Sequence, residues 1–589
     1  MTTHYITELE AREKQSQMRT EPYWSEGPDE AFKEMEEVVG SRWITRDKVA
    51  RQAYCGRGSG HEIYWYLNVS YPPCIIVLPA STGEVADIVR ICNKYNLPFV
   101  PTSSGWMIQG FPRYRSDMVT IDLQRMWEWK IDKKNMVITV GPGVRYGHHC
   151  QACIEHDLWF INTGGGSASS VIANTLSFGV SPLNYRMGNS ERRALSLEWV
   201  TPEGEIVYSG SWAQCEEGFW GDGPGPNLMG MLRGFCGWFG GMGIVTRMNV
   251  KAFSFLENAT EILVPEGVSP DTHLSFKDTG RIRWINFQFP DRKSLEDCTI
   301  EVSHAQLGAA WTKVPVFWRD LAKSKDKEDF WERWSGVQKE DIDNFHLLRA
   351  LFVGYTSEKQ MDYELKACED IMKKYGGTER RTKPSDESWI KNADANGMWM
   401  LTSGYMSTDG GQESLRTVFE TGKRLGDILY NHYDRYFLPQ KGDVGWWQSN
   451  DFGHSAYLEF MQYKNVDHWD PLSPFFRPET REQGTKWYMQ VVTDVDNETG
   501  FCNFFSGFQS CLLYIGPHRS DFQIWIDRFQ NEFSPKGLSN PPTPYEGETL
   551  IEHFPAHWLP KVRSHIRRAK RGRSVCAGSL PERKPLRDT

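Results

Sequence analysis

The stretch at residues 160–180, FINTGGGSASSVIANTLSFGV, limits the folds open to this chain more than any other. Three glycines run together, then small residues, an Asn-Thr pair and a further glycine. Side chains this small offer little apolar surface to bury, so the stretch is not core. It marks a place where the backbone itself must come close to something. A second loop of the same character, Pro101-Thr-Ser-Ser-Gly105, precedes it. In such loops consecutive backbone N–H groups can turn toward one anion. Together the two suit a pyrophosphate clasped without a cationic side chain. Either loop alone reads equally as a tight turn with no ligand.

Short elements alternate around the loops. CIIVL (74–78) reads as a strand. STGEVADIVRICNKYNLP reads as a helix capped by Ser81 or Thr82, with Val85, Ile88, Val89 and Cys92 at helical spacing. Further strands are expected at FVP, MVTIDL (118–123) and MVITVGPGV (136–144), and a helix at 146–157. No GxGxxG follows a strand and opens a helix here, which argues against a dinucleotide site of the Rossmann type.

The order of the pieces is more specific than any one of them. The lead-in IIVLPASTGEVADIVRICNKYNLPFVP is followed by the first small-residue loop, VTIDLQRM, VGPGV, the GGGS…ANTLSFGV loop, LEWVTPEGEIVYSG and LRGFCGWFGGMGIVTRMNVK. This series, over roughly residues 40–255, resembles the FAD-binding domain of the vanillyl-alcohol oxidase / para-cresol methylhydroxylase family. FQNEFSPKGLSNPP (529–542) resembles that family's terminal segment beside the cofactor. The resemblance implies an α+β chain, with a two-subdomain FAD-binding domain of the PCMH type and a cap domain whose antiparallel sheet is covered by helices. It implies FAD-binding residues at 1–255, completed by 520–555, with a cap and substrate domain at 256–519.

Carried over by position, Thr102, Ser103, Ser104, Gly105 and Trp106 would form the pyrophosphate loop, and Gly164, Gly165, Gly166 and Ser167 the second wall. Asn174, Thr175, Ser177, Gly179 and Val180 would run along the ribityl chain and ring, and Gly243, Ile244 and Val245 near the adenine. SASSVIANTL is about two residues longer than the family's spacing. The first loop lacks the histidine that tethers FAD in many members, and no cysteine lies between Cys153 and Cys215 to serve as a second tether. His454, leading into the strand AYLEFMQY, resembles a cap-domain tether; as a sequence feature it reads also as an exposed strand-start histidine.

FAD accepts two electrons, most simply as hydride, so a base or anion-stabilising group must deal with the substrate's hydroxyl proton. His454, Tyr457, Tyr488 and Arg435 are the catalytic candidates, with Lys486 and Tyr436 close by in sequence. The cap is expected to have strands at ATEILVPEG, RIRWINFQF and AYLEFMQY, and helices at DNFHLLRALFVGY, MDYELKACEDIMKKYG and ESLRTVFETGKRLGDILYNHY. Its aromatics include the pair Trp446-Trp447, unlikely on sequence grounds to be core on both rings. They favour a hydrophobic or aromatic alcohol, or an alkylphenol-type substrate, with electrons passed to O2 or a protein acceptor. A 2-hydroxy-acid dehydrogenase of the glycolate/lactate type is the alternative, as is a flavin electron-transfer subunit of a larger complex.

The net charge of −9 argues against a nucleic-acid partner. No apolar run suits a transmembrane segment or a secretory signal, so a cytoplasmic location is expected. Cys150 and Cys153, beside His148 and His149, form the one CxxC; the pattern reads as amphipathic helix and no metal is expected. Residues 556–589 carry ten Lys or Arg against two acidic residues. That basic tail reads either as a solvated arm or as a docking arm for a second copy or a redox partner subunit.

Overall fold

The helix Thr82–Tyr95 shows how directly local signals act. Ser81 caps it by accepting from the Glu84 N–H at 3.2 Å, and Asn96 ends it in the left-handed region at φ 52°. Val85, Ile88, Val89 and Cys92 form its buried stripe. The computed structural model describes residues 24–54, 72–105, 116–159, 168–177, 179–213, 228–233, 241–266, 273–276, 280–313, 326–380, 404–436, 445–465 and 529–540, with isolated positions elsewhere. Among these, no helix is long and apolar enough to cross a membrane.

The Thr82–Tyr95 helix packs on a four-stranded sheet of β1 (Ile44–Thr45), β2 (Ile75–Val77), β3 (Phe99–Thr102) and β4 (Val119–Asp122), ordered β1-β2-β4-β3. The last three run parallel and β1 is antiparallel to β2. Beside it lies an antiparallel five-stranded sheet of β5 (Trp129–Asp132), β6 (Val137–Val140), β7 (Ala194–Val200), β8 (Ile206–Tyr208) and β9 (Ile244–Lys251), ordered β5-β6-β9-β7-β8. Buried Glu198 of β7 ties the two units. Its carboxylate accepts from the Thr82 hydroxyl, from Thr246 at 3.0 Å and from Arg247 at 2.7 Å. The burial is tolerable because every donor it needs is supplied.

After a hairpin of β10 (Leu263–Glu266) and β11 (His273–Phe276) comes the largest sheet. It contains β12 (Ile282–Gln288), β13 (Ala310–Lys313), β14 (Leu347–Val353), β15 (Thr378–Arg380), β16 (Gly404–Glu413), β17 (Gly445–Asn450) and β18 (Ser455–Asn465). The order is β15-β12-β14-β13-β17-β18-β16, and every pairing is antiparallel. Helices Arg292–His304, Glu358–Lys374 and Leu415–Tyr436 accompany it.

Two expectations are corrected here. DNFHLLRALFVGY is not a helix; its centre is β14, buried at every position from Leu347 to Val353. A central strand covered on both faces is apolar throughout, so it lacks the alternation that would tell it from a buried helix. Trp446 and Trp447 are both core, at 2% and 1% exposure. Neighbours in a strand point to opposite faces, and here both faces are covered. Trp447 packs on Phe419 of the helix Leu415–Tyr436, with ring centres 4.7 Å apart, and Trp446 faces the other way.

Candidate functional site

The turn after β3, the helix Val171–Leu176, the start of β9 and the C-terminal return meet at one cleft. Its walls include Thr102, Ser103, Ser170, Ile172, Gly243 and Asn540, and it holds ≈ 780 Å3 of space with its open mouth included. Charged side chains are absent from the described lining. Thr102 ends β3 and is buried, Ser103 and Ser104 are half-buried, and Gly105 is exposed at φ +65°. A Cβ on Gly105 would meet nothing within 4 Å, so its backbone conformation, not crowding, calls for glycine there. Ser104 Oγ accepts from the Ser170 N–H at 3.3 Å, which joins this turn to the segment that follows the triple glycine.

Ser170 caps the helix Val171–Leu176, and its hydroxyl also donates to Pro142 O at 2.8 Å. Asn174 Oδ1 accepts from the Tyr146 hydroxyl at 3.1 Å, Thr175 is buried, and Ser177 closes the helix. The Gly179 N–H returns to Asn174 O at 2.8 Å, and a Cβ at Gly179 would collide with the Asn174 side chain at 1.6 Å. Gly243, Ile244 and Val245 line the cleft. Beside them, the Phe99 N–H donates to Leu538 O and the Asn540 N–H to Phe99 O, so the C-terminal return lies along the outer edge of β3. Trp106, Gly164, Gly165, Gly166, Ser167 and Tyr488 fall outside the described residues, as does most of the basic tail. Arg435 belongs to the helix Leu415–Tyr436.

Four residues beyond Leu176, which lines the cleft, Val180 enters a buried cluster with Trp446 and Tyr457. Gln448 Nε2 donates to Ser181 O at 2.7 Å, and Asn189 Nδ2 to Ser455 Oγ at 3.4 Å. These contacts lay one face of β17 and β18 against residues 180–189. On that face the Tyr457 hydroxyl donates to Glu459 Oε2 at 3.2 Å. Burial pushes the Glu459 carboxyl up to about 7, and the Tyr457 hydrogen bond opposes the rise. Glu459 is a residue the sequence reasoning missed. Its signal was an acid two places from Tyr457 in AYLEFMQY, a register whose tyrosine turns inward.

His454 is exposed, follows a short 3-10 turn and is not among the residues lining the cleft. His149 and Cys153 are buried in the helix Tyr146–Glu155. Trp129 Nε1 donates to His149 Nδ1 at 3.1 Å, leaving Nε2–H for the Cys153 sulfur at 3.6 Å. Burial, helped by the Arg193 charge, lowers the His149 pKa to about 4. Burial also pushes Cys150 up to about 12 and raises Cys153. Protonated thiols are poor metal ligands, and among the described residues no group of three His, Cys, Asp or Glu is placed to hold a metal ion.

A pH dependence follows. His149 bound as a neutral ring contributes stability that is complete above the usual 6.5 and is lost as the pH falls toward 4. Urea midpoints measured from pH 7.5 to 4 should fall more steeply in the parent than in a His149→Gln variant. Parallel curves would refute the assignment.

A sequence model of the FAD binding domain matches residues 73–210. The mitochondrial D-lactate dehydrogenase (cytochrome) 1 of Saccharomyces cerevisiae is 32% identical over 197 residues, 32% of this chain and 32% of that protein. The chain thus spans about a third of the length of that relative. Among solved structures, the 4-ethylphenol oxidase from Gulosibacter chungangensis in its isoeugenol complex superposes with a TM-score of 0.64 at 16% identity, covering 87% of this chain and 96% of that one. Substrate-bound p-cresol methylhydroxylase gives a TM-score of 0.64 at 15% identity, with the same coverage. The cleft between two small α+β units, the match at 73–210 and the superposition over most of the chain agree: residues 73–210 are an FAD-binding domain, and the chain shares the fold of p-cresol methylhydroxylase.

Proposed function

We propose that the chain is an FAD-dependent oxidoreductase acting on a hydrophobic or aromatic alcohol, or on an alkylphenol-type substrate. The uncharged walls of the cleft suit a diphosphate held by backbone amides. Thr102, Ser103, Ser104 and Gly105 would hold the diphosphate together with the segment at Ser170. Asn174 to Val180 would lead toward the ring, and Gly243, Ile244, Val245 and Asn540 would close the opposite wall. Bound there, FAD supplies the two-electron acceptor for a hydride from the substrate carbon. The protein's share is to exclude water, orient the substrate and take up a proton.

The observation that carries the substrate class is the cap face at residues 180–189. It offers the buried Val180, Trp446 and Tyr457, and Arg186 of the same segment is engaged elsewhere, over the Tyr355 ring and on Gly308 O. A carboxylate substrate would want an arginine or lysine partner and would be repelled by Glu459 once that residue ionises. The second reading, a 2-hydroxy-acid dehydrogenase, draws on the D-lactate dehydrogenase relative.

The test begins with the purified chain. Acid precipitation should leave a colourless pellet and release FAD identifiable by mass, because His454 is exposed and off the cleft. Without oxygen, benzyl alcohol, cinnamyl alcohol, 4-ethylphenol, D-lactate and glycolate are then added separately. Bleaching of the flavin by an aromatic member of the panel is the expected result. Bleaching by D-lactate or glycolate alone would establish the second reading. A flavin that stays oxidised with all of them, and is reduced only when a partner protein is added, would point to an electron-transfer subunit.

A further inference from the structure

We propose that the far side of the seven-stranded sheet carries a second binding site, for a small oxyanion of the phosphate or carboxylate type, built on Lys313, His346, Lys423 and Trp447. The inference does not rest on the substrate reading above.

The site begins with strand register. Thr312 of β13 pairs with Gln448 of β17 in antiparallel sense, so the next residues, Lys313 and Trp447, stand side by side on the opposite face. Gln448 faces the segment leading out of the cleft, where it donates to Ser181 O. Lys313 and Trp447 therefore face away from the cleft, toward the helices Arg292–His304 and Leu415–Tyr436. Trp447 packs on Phe419 of the second, and Ser449, two places on, meets Ser303 of the first at 2.9 Å. Between the sheet, these two helices and the short helix Lys339–Asp343 lies a cavity of ≈ 210 Å3, lined by Lys313, His346, Lys423 and Trp447 among others. One water needs about 10–15 Å3, so a small organic anion has room there.

The described lining is basic on balance. It holds Arg292, Lys313, Lys339 and Lys423, with His346, against Glu296, Asp343 and Asp427. Two of those acids are engaged within the wall: Glu296 accepts from Arg292 at 2.6 Å, and Asp343 from Lys339. Asp427 is exposed. Lys313 lies at 6% exposure, and Lys423 forms no ion pair among the described residues. His346 reports the same sign of field. Burial first, then the charges of Lys313 and Arg292, lower its pKa, while Asp291 and the Asp343 backbone oppose them.

A second, independent observation is the Trp447 indole. Its Nε1–H is buried and has no acceptor. A buried donor left unmet is costly, and the cavity that Trp447 borders is where an acceptor can be supplied. Two ammonium groups, a spare N–H and an imidazole able to take a proton ask for a ligand that brings acceptors and negative charge together. A cation would be repelled by Lys313 and Lys423, and an apolar guest would leave the indole unmet. A bound oxyanion favours the charged form of His346, so binding takes up a proton and tightens as the pH falls.

The experiment uses the full FAD-loaded chain, so that the first cleft is occupied. Sulfate, phosphate and citrate are titrated into it by calorimetry, with the ionic strength held fixed by sodium chloride. Saturable binding at one site is expected. Lys423→Glu should weaken each oxyanion about 10-fold or more, with flavin content and melting temperature unchanged because Lys423 is exposed. Sulfate keeps its charge from pH 8 to pH 5.5, and it should bind about 5-fold tighter at the lower pH. That gain should vanish in His346→Gln. Tighter binding of phosphate than of citrate assigns the phosphate type, and the reverse order the carboxylate type. No binding beyond the chloride control, equal affinities in the parent and Lys423→Glu, or a pH gain that persists in His346→Gln overturns the proposal.

Discussion

Replacing Gly243 with alanine should cost about 3 kcal/mol or more and leave the purified chain without flavin. Gly243 has φ +91°, a region that residues with a Cβ rarely enter. Its missing Cβ would stand 2.2 Å from Val200 O and 2.8 Å from the Trp199 indole nitrogen. Val200 and Trp199 belong to β7, the partner strand of β9, so relief requires moving a ladder and not a flexible side chain. Gly243 also lines the cleft and donates its N–H to Ser539 Oγ at 3.1 Å. Gly336→Ala is the control, because its φ is not positive and a Cβ there meets nothing within 4 Å. Urea midpoints and the flavin retained through gel filtration decide the matter. A Gly243→Ala chain with the parent's midpoint and colour would refute the prediction.

A chain ending at residue 528 should lose FAD and at least about 4 kcal/mol of stability, while one ending at residue 545 should keep both. The difference lies in residues 529–540. Leu538, Ser539 and Asn540 pair with Phe99 on the outer edge of β3, which would otherwise be open. Leu538 joins the core beneath the Thr82–Tyr95 helix, and Phe533 packs on Trp199 with ring centres 5.8 Å apart. Ser539 reaches the second sheet through Gly243, and Asn540 lines the cleft. One short return thus covers an edge, fills two apolar contacts and closes one wall of the cleft. Thermal melts and flavin content of the two truncations test this, and a yellow, stable chain 1–528 would contradict it.

Local chemistry made much of the first two sheets legible. Ser81 as a cap, the stripe from Val85 to Cys92 and the β-rich runs at 75–77 and 119–122 depend on neighbours a few residues away, and they fold as read. The Ser170 cap and the Ser104–Ser170 bond belong to the two small-residue loops that first drew notice. The seven-stranded sheet was read less well. LLRALFV carries no period because β12 and β13 flank it and both faces are buried. Nor does sequence show that Trp446 and Trp447 are both enclosed, one against residue 180 and the other against residue 419.

By itself the sequence determined where the backbone had to be bare, which strands and helices flank those places, and in what order they come. Those are properties of adjacent residues, governed by sterics, capping and side-chain period. Tertiary structure alone decided that Ser539 would meet Gly243 across 296 positions, that His454 would stand exposed, and that Glu459 would lose most of its water. Each of these depends on which distant surface packs against the residue. A carboxylate's affinity for its proton is set by that surrounding medium, which no stretch of AYLEFMQY contains.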